Sequence, residues 1–359
     1  MTTTEDRNHN IPPNGAENAP RTSAPGEATA PVMPPELTGS TQAPEAEKRR
    51  FSPTITAPLL VFCIFVLLLA ARLLSPLIFD RDNEVILLTV VQVLIFMLPA
   101  GIYMRLCRVR WRRLRIFPFG VNHLLLIISA IVAAATGALL FEYAVSGYEA
   151  FSNVFTLYGA FSAPAANGAG STLYLAVVYA ALPAFCEEFV FRSLLCSEYE
   201  SGGSFSAVVL TSVWFAMLHF DLRSLPVYLF SGLLLALTLY AARSFFAAFA
   251  VHLGYNLISL FGAPLWRTVY DAGGKKLYFL IIGLLFLISM FVFCGECARL
   301  YSSYADRNLP SDYRLPSPSS EDAALPPLRR AFAGNARAFL APSALLCYLF
   351  YIAVMLFTR

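Results

Sequence analysis

Long apolar runs constrain this chain more than any other feature of its sequence. A helix needs roughly 20 apolar residues to cross a hydrocarbon core about 30 Å thick, and runs of that kind recur along the chain, with a shorter one at 205–220. Only helices or closed barrels satisfy their backbone in lipid, and these runs lack the alternation of barrel strands. The predicted fold class is therefore all-α, a polytopic integral membrane helical bundle of about eight to nine transmembrane helices. The longer runs lie at 57–79, 85–104, 123–146, 173–195, 226–242, 244–262, 276–297 and 339–357.

Composition and polar stretches divide the chain further. It is 57% hydrophobic and 14% charged, whereas soluble domains carry about 25% charged residues. Residues 1–55 are rich in Pro, Ala, Glu and Thr without an apolar pattern, which predicts a disordered cytoplasmic tail and no cleaved signal peptide. The density of Pro and Ser predicts a linker at 299–338. The other predicted units are N-terminal transmembrane helices at 56–147, a helical core at 172–262, a transmembrane helix at 275–298 and a C-terminal transmembrane helix at 339–359.

Basic residues predict the orientation of the chain. Short loops rich in Lys and Arg stay in the cytoplasm. Three basic residues at 48–50 precede the first span, and six arginines crowd 105–115, although Lys275 and Lys276 fall on the opposite side. We therefore expect a multi-pass protein of the cell membrane with a cytoplasmic N-terminus. The arginine-rich loop could instead bind nucleic acid or a specific lipid, but the topological interpretation is favoured, and we expect no nucleic acid among the partners.

A first polar cluster lies in the stretch FCEEFVFR at 185–192. Ionisable side chains inside a span are costly unless they are paired or line a wet cavity, so each is a candidate functional residue. Glu188 and Arg192 are four residues apart, which predicts an ion pair on one helix face. Glu187 is rotated from Glu188 by roughly 100° and is expected to face an internal cavity, while Pro183 is expected to open the helix locally. A helix end that extends its charges to the cytoplasmic surface is the alternative.

Two further clusters place imidazoles in apolar helices. Phe215 and His219 are four residues apart, as are His252 and Asn256, so the members of each pair share a helix face. Gly254 is expected to let another helix or a substrate approach closely. A lone histidine on an apolar helix is more often a hydrogen-bonded core residue than a base, and the His252–Asn256 pair is equally compatible with hydrogen bonding that only holds helices together. Threading the spans in order puts His219 nearer the outer surface than the other two clusters, unless the helix tilts strongly or 205–220 does not fully cross.

These side chains are those that hydrolysis of a peptide bond requires. A carboxylate and an imidazole can take a proton from water, and an imidazole and an amide can hydrogen-bond the oxyanion that forms at the carbonyl. The set Glu187, His219 and His252 could equally hold a Zn²⁺ ion with one position open for water. The residues alone do not choose between these mechanisms.

The motifs also follow a familiar order. They read Glu187-Glu188-x-x-x-Arg192, Phe215-x-x-x-His219 and His252-x-x-x-Asn256. In order, spacing and helical placement they resemble the three motifs of the CPBP family, the CAAX-protease and bacteriocin-processing intramembrane enzymes. The resemblance covers 173–262, about a quarter of the chain. Many members carry Gly where this chain has Ser193, a departure that concerns local packing more than chemistry.

The resemblance implies a role for each matching residue. Glu188, Arg192 and Phe215 would support the site. The family is usually described as metalloproteases, which implies Zn²⁺ as a possible cofactor, but a metal-free glutamate mechanism has also been argued for it. The implied catalytic residues are Glu187 and His219, which would activate water, and His252 and Asn256, which would stabilise the oxyanion.

Substrate class and rival functions follow from the same comparison. Eukaryotic CPBP enzymes cut the last three residues from prenylated CaaX proteins, so the expected partners are the lipid bilayer and a membrane-bound peptide or protein substrate. Other relatives are linked to immunity or scaffolding, and the alternative is a non-catalytic membrane scaffold or bacteriocin-immunity protein. A degenerate scaffold should have lost a motif residue, and none is lost. A transporter should show an internal repeat, and none is evident. The sequence therefore favours an intramembrane endopeptidase.

Overall fold

The computed structural model describes residues 52–78, 84–154, 169–309 and 326–357. The predicted N-terminal tail at 1–55 therefore lies almost entirely outside the described residues. Within the described ranges every regular element is a helix and none is a strand. The all-α fold class predicted from the apolar runs is confirmed.

The helices follow the apolar runs of the sequence. The N-terminal part comprises α1 (Pro53–Ile78), α2 (Glu84–Leu106) and α3 (Leu124–Val154). An interrupted helix follows, made of α4 (Ala169–Leu175), a π-helical turn at Ala176–Ala181, α5 (Leu182–Glu188), a second π-helical turn at Phe189–Leu195 and α6 (Cys196–Tyr199). The remaining helices are α7 (Ser204–Met217), α8 (Leu225–Ala242), α9 (Phe245–Phe261), α10 (Ala263–Asp306), α11 (Pro327–Phe339) and α12 (Pro342–Phe357).

The described residues contain fewer full-length spans than the sequence predicts. Six helical segments are long and apolar enough to cross a membrane, and α11 with α12 forms a seventh if this pair, bent by 60°, counts as one span. The predicted spans at 205–220 and 244–262 correspond to α7 and α9, which have only 14 and 17 residues. Both are shorter than the roughly 20 residues that a crossing requires. Apolar character was therefore predicted correctly for these two segments, but their length was overestimated.

The C-terminal third is more helical than predicted. Gly274 interrupts α10 with a φ of 65°, a left-handed conformation that glycine adopts without a Cβ clash. The helix then continues to Asp306, beyond the predicted boundary at 298. The hydroxyl of Tyr304 donates to the carbonyl of Ala241 at 2.9 Å and ties this extension to α8. Because α11 covers Pro327–Phe339, the predicted linker at 299–338 is helical at both of its ends.

The interrupted helix is irregular on both sides of α5. Pro183 lies at its start, and proline removes one backbone hydrogen bond and clashes with the preceding turn. The π-helical turn just before it accommodates this loss, so the local opening expected from Pro183 is present. A second π-helical turn begins at Phe189, directly after the two glutamates. Such turns are rare and occur frequently at functional sites.

Two glycines allow close helix approaches near the polar clusters. A Cβ atom on Gly232 of α8 would lie 3.0 Å from the Cα atom of Ser212 on α7. A Cβ atom on Gly254 of α9 would lie 2.5 Å from the Cδ1 atom of Ile131 on α3. Small residues at helix contacts are typical of membrane bundles, and the close approach expected at Gly254 is confirmed.

Helix α12 belongs to the same core as α7. Trp214 is fully buried, and its indole N–H donates to the Tyr199 hydroxyl at 3.0 Å. The Trp214 ring stacks on Tyr348 of α12, with centroids 5.3 Å apart. The C-terminal helix is therefore packed against the helices that carry the motifs.

The arginine-rich loop between α2 and α3 is also fixed to the bundle. The Nη2 atom of Arg115 lies 2.7 Å from a carboxylate oxygen of Glu200, and its guanidinium lies 4.4 Å from the ring centroid of Tyr240. The backbone N–H of Phe245 donates to the Arg115 carbonyl at 2.9 Å. These contacts attach the loop to the ends of α6, α8 and α9.

Candidate active site

Three elements bring the polar residues of the motifs to one region. Glu187 and Glu188 end α5, while His252 and Asn256 lie one turn apart on α9. His219 lies in the turn after α7, because that helix already ends at Met217. With 14 residues, α7 is short for a full crossing, which agrees with one of the two explanations expected for the depth of His219, an incomplete crossing of 205–220.

His252 lies between the two motif carboxylates. Its Nδ1 atom is 2.9 Å from Oε1 of Glu188, and its Nε2 atom is 4.0 Å from Oε2 of Glu187. The first distance is a hydrogen bond and the second is too long for a direct one. Glu188 and His252 are 64 residues apart in the chain, so this contact joins the first motif to the third.

The predicted ion pair between Glu188 and Arg192 is present. The Nε atom of Arg192 lies 3.2 Å from Oε2 of Glu188, and both side chains are fully buried. The spacing of the motif predicts Arg192 as the partner of Glu188, but the other carboxylate oxygen of Glu188 also bonds His252. Glu188 is thus shared between a structural arginine and an imidazole of the candidate site.

Arg192 has further contacts that offset part of the cost of its burial, although its Nη1 atom has no hydrogen-bond partner within the described residues. Its guanidinium lies over the Phe215 ring, 4.4 Å from the centroid, and Nη2 lies 3.5 Å from the Gly232 carbonyl oxygen. A buried cation is tolerated when an anion, a ring face and hydrogen-bond acceptors surround it. Arg192 therefore holds the carboxylate of α5, the aromatic ring of α7 and the backbone of α8 together.

His219 is held in one orientation. Its Nδ1 atom is 3.1 Å from the Phe215 carbonyl oxygen, and its ring stacks on Tyr228 with centroids 3.7 Å apart. A carbonyl oxygen only accepts hydrogen bonds, so Nδ1 carries the proton and the neutral ring has its lone pair on Nε2. The Phe215 ring meets both imidazoles edge-on, 5.2 Å from His219 and 5.8 Å from His252.

Asn256 connects α9 to the interrupted helix. Its side-chain Nδ2 donates to the carbonyl oxygen of Ala180 at 3.2 Å, and Ala180 belongs to the π-helical turn before α5. An amide nitrogen has two N–H donors, so one of them remains for another acceptor. Asn256 lies one turn from His252 on the same side of α9, and the bond to Ala180 holds its side chain in place.

The predicted zinc ligands can be compared with the geometry that a metal site requires. A catalytic zinc needs about three protein ligands that converge on one point. In the part of the chain that the structure describes, no group of three or more His, Cys, Asp or Glu side chains meets that requirement. The predicted set of Glu187, His219 and His252 includes the contact of 4.0 Å between His252 and Glu187, but the three are not grouped as ligands.

Sequence reasoning missed three partners of the predicted residues. Tyr228 stacks on His219, and the carbonyl groups of Ala180 and Gly232 accept bonds from Asn256 and Arg192. Tyr228 lies in an apolar run, where an aromatic residue is normally a packing residue. The backbone carbonyls have no sequence pattern at all, although Pro183 and the missing Cβ atom of Gly232 mark where the backbone becomes accessible.

Comparison with known proteins agrees with the motifs. Residues 169–258 match the family model described as Type II CAAX prenyl endopeptidase Rce1-like. No curated protein gives a significant match to the chain, and neither does any solved structure. The matched segment contains all three motifs and supports a peptidase role in the membrane. The resemblance to the CPBP family is thereby confirmed over residues 169–258, the segment that matches the Rce1-like model.

Proposed function

We propose that this chain is an intramembrane endopeptidase that hydrolyses peptide bonds of a membrane-associated or lipidated protein or peptide. One observation carries the proposal: His252 of α9 meets both motif carboxylates of α5, with 2.9 Å to Glu188 and 4.0 Å to Glu187. Two carboxylates around a single imidazole, in a region that matches a CAAX endopeptidase family, are suited to moving and stabilising charge during hydrolysis.

Glu187 and His219 are the proposed activators of the attacking water. Glu187 is the less buried of the two glutamates, with a side chain that is 12% exposed, and its carboxylate lies outside the Glu188–Arg192 pair. His219 has its Nδ1 proton bound to the Phe215 carbonyl, so Nε2 of the neutral ring is free to accept a proton. A carboxylate and an imidazole nitrogen with open lone pairs are the groups that a general base requires.

His252 and Asn256 are the proposed stabilisers of the oxyanion. The Nδ1 proton of His252 is directed at Glu188, and Nε2 becomes a donor when the ring is protonated. In its doubly protonated form His252 donates from Nε2 to the developing oxyanion while Nδ1 stays bonded to Glu188. The second N–H of Asn256 supplies another donor, because its first N–H already bonds Ala180. Preorganised donors of this kind account for a large part of catalysis in acyl transfer.

Glu188, Arg192 and Phe215 act as positioning residues in this mechanism. Glu188 orients His252, Arg192 holds Glu188, and the Phe215 ring contacts both histidines. Their effect on the reaction passes through the residues that contact water and substrate.

The mechanism proposed here is metal-free, and zinc held by Glu187, His219 and His252 is the alternative. Purified protein treated with 1,10-phenanthroline and then freed of the chelator should retain its peptidase activity. Loss of activity, with recovery on addition of Zn²⁺ but not Mg²⁺, would support the zinc mechanism instead.

The proposed site of action is the cell membrane, with the N-terminus in the cytoplasm. The basic residues at 48–50 and the arginine-rich loop support this orientation through the positive-inside rule. The proposed substrate is membrane-bound, because residues within a bundle are reached most directly by a peptide that lies in or on the same bilayer.

Comparative membrane proteomics tests the function without knowledge of the substrate. Cells that carry the Glu187→Gln chain should accumulate an uncut precursor that cells with the unchanged chain process. The matched control is Asp271→Asn, which removes an exposed carboxylate on α10 and should leave processing intact. In liposomes, cleavage of that precursor should fall about 10³-fold for Glu187→Gln.

The rival function makes the opposite prediction. A non-catalytic scaffold or bacteriocin-immunity protein would produce no cleaved product with any of the three chains. Identical precursor levels in the Glu187→Gln, Asp271→Asn and unchanged cells would therefore contradict the endopeptidase.

A further inference from the structure

The turn that follows α7 has a backbone conformation that its sequence does not favour. Phe220, directly after His219, has a φ of 47°, and its backbone N–H donates to the Met217 carbonyl at 3.2 Å. A left-handed residue commonly ends a helix, but glycine or asparagine normally occupies that position, because a bulky side chain is unfavourable there. Strained residues persist only where the surrounding structure holds them, and they cluster at active sites. The contacts of the Phe220 ring therefore have to maintain this conformation.

The Phe220 ring lies in an aromatic contact with α1 and α12. It stacks on Tyr351 of α12, with centroids 5.7 Å apart and an angle of 20° between the rings. It also meets Phe65 of α1 edge-on at 5.2 Å and Phe350 of α12 at 6.4 Å. Aromatic pairs with centroids about 4.5–7 Å apart attract each other beyond the surface that they bury. Three rings from two helices thus hold Phe220 in place.

Helices α1 and α12 are bound to each other by contacts that do not involve the turn. The Cys347 thiol donates to the Pro58 carbonyl at 3.2 Å, and the rings of Phe62 and Phe350 meet edge-on with centroids 5.3 Å apart. Phe65 is fully buried. The rings that contact Phe220 therefore belong to a support that is fixed independently of it.

His219 faces the other side of the same turn. Its imidazole contacts Phe215 of α7 and Tyr228 of α8, and the Phe215 ring also contacts His252. The rings that hold Phe220 belong instead to α1 and α12, which carry none of the three motifs. Because the two residues are adjacent, a shift of Phe220 moves the backbone to which His219 is attached.

The other end of the turn is fixed by polar contacts. Oδ1 of Asp221 accepts the backbone N–H of Arg223 at 2.9 Å. The hydroxyl of Ser224, which directly precedes α8, donates to Glu142 of α3 at 3.1 Å. With that end bonded to α3, Phe220 is the residue that fixes the end next to His219.

We propose that Phe220 is a positioning residue of the peptidase, whose ring, held by α1 and α12, fixes His219 in the orientation in which it acts on water. This role rests on the proposed function of His219. Phe65 and Tyr351 lie outside residues 169–258, the segment that matches the family model. The first and last helices of the bundle thus become part of the catalytic unit as well as of the membrane anchor.

Phe220→Gly separates the effect of the ring from that of the backbone conformation. Glycine adopts a positive φ without strain, so this variant should retain full activity if Phe220 only ends α7. If the ring fixes His219, kcat in liposomes should fall about 10²-fold with KM changed by less than about twofold, for the precursor that accumulates with Glu187→Gln. Asn308→Gly is the matched control, because Asn308 is exposed after α10 and has a φ of 52°, and it should leave kcat unchanged.

Magic-angle-spinning NMR of the chain with ¹⁵N-labelled histidine in liposomes tests the position of His219 without a substrate. The chain has four histidines, and the signals that disappear in His219→Gln assign this one. In the unchanged chain the neutral ring should carry its proton on Nδ1, as the bond to the Phe215 carbonyl requires. Phe220→Gly should give a mixture of both tautomers, because the released ring loses that bond, whereas Asn308→Gly should give the spectrum of the unchanged chain.

Variants of the support decide the test where Phe220→Gly does not fold. Tyr351→Leu removes the stacked ring and leaves the sequence of the turn unchanged, so it should also mix the tautomers and lower kcat about tenfold. Tyr351→Phe keeps the ring, and the hydroxyl that it removes has no hydrogen-bond partner within the described residues. This variant should keep the Nδ1 tautomer and most of the activity.

The two measurements separate failure of the positioning role from failure of the peptidase. A pure Nδ1 tautomer in Phe220→Gly or in Tyr351→Leu would overturn the role of Phe220, and so would an unchanged kcat in variants whose tautomers are mixed. If the unchanged chain cleaves nothing, the proposed peptidase is contradicted, and the spectra still decide whether Phe220 fixes His219.

Discussion

Glu188 is the residue on which the buried charge of the site depends. It bonds His252 through one oxygen and pairs with Arg192 through the other, and its side chain is fully buried. Arg192 is in turn buried to 1% exposure. Removing the carboxylate would leave this cation without its anion in a low-dielectric environment, which is far more costly than losing a surface pair.

Replacement of Glu188 should therefore lower stability strongly. We expect Glu188→Ala to reduce the free energy of unfolding by about 3–5 kcal/mol, measured in detergent by chemical denaturation. Glu296→Ala is the matched control: Glu296 is also mostly buried, but the cation that it leaves unpaired, Arg299, has a side chain that is 48% exposed and stays hydrated, so we expect a loss of only about 0–1 kcal/mol. Equal losses in the two variants would contradict the structural role of the buried pair.

Tyr228 provides a second test at this scale. Its ring stacks on His219 at 3.7 Å and limits rotation of the imidazole about the bond that Nδ1 makes to Phe215. In Tyr228→Leu the imidazole loses this wall, and we expect kcat for precursor cleavage in liposomes to fall about tenfold with little change in KM. Tyr228→Phe keeps the ring and should retain most of the activity. A Phe variant as slow as the Leu variant would show that stacking is not what matters.

Only part of this residue network is visible in the sequence. The Glu188–Arg192 pair is predictable because spacing of four places both residues on one helix face. The bond from Glu188 to His252 spans 64 residues, and helical periodicity carries no information about which face of α9 meets which face of α5. The stacking of Tyr228 on His219 cannot be predicted for the same reason, because it depends on how the turn between α7 and α8 reverses the chain.

Irregular and short helices position the site at the scale of the elements. The π-helical turns around α5 and the early end of α7 bring the glutamates and His219 into the region of α9. Periodicity predicted the apolar helices here but not their lengths, because an apolar residue looks the same in a full span and in a short buried helix. Proline and glycine were the informative exceptions, with Pro183 marking the opening and Gly254 marking the contact of α9 with α3.

The contact at Gly254 should be sensitive to a single methyl group. A Cβ atom there would lie 2.5 Å from the Cδ1 atom of Ile131, so Gly254→Ala should lower the free energy of unfolding by about 1–3 kcal/mol through overpacking. Gly283→Ala in α10 is the matched control, since no atom lies within 4 Å of the added Cβ, and it should be neutral or stabilising by up to about 1 kcal/mol.

A double-mutant cycle identifies the cause. In an Ile131→Ala background the added methyl group meets no obstacle, and the cost of Gly254→Ala should largely disappear. An undiminished cost in that background would indicate that the effect comes from α9 itself and not from its contact with α3.

At the scale of the whole molecule, basic residues are sorted to the two ends of the bundle. Arg115 pairs with Glu200, and Arg243 lies over the ring of Tyr304, 4.1 Å from its centroid, where the ends of α8 and α10 meet. Lys275 lies over Tyr143, 5.2 Å from its centroid, near the opposite end of α3. The exposed arginines of the loop between α2 and α3 therefore share one face of the bundle with Arg243, and the lysines at 275–276 lie on the other.

This sorting makes the proposed orientation testable at two points of one chain. In intact cells, in a background whose accessible native cysteines are serine, a membrane-impermeant maleimide should label Lys276→Cys and should label Arg112→Cys only after permeabilisation. Both positions are exposed, so a difference between them reports the side of the membrane and not burial. The positive-inside rule counts basic residues in short loops, and the loop with six arginines should outweigh two lysines. Labelling of Arg112→Cys from outside would contradict the proposed orientation. It would place the N-terminus outside and reverse the side from which a substrate reaches His219.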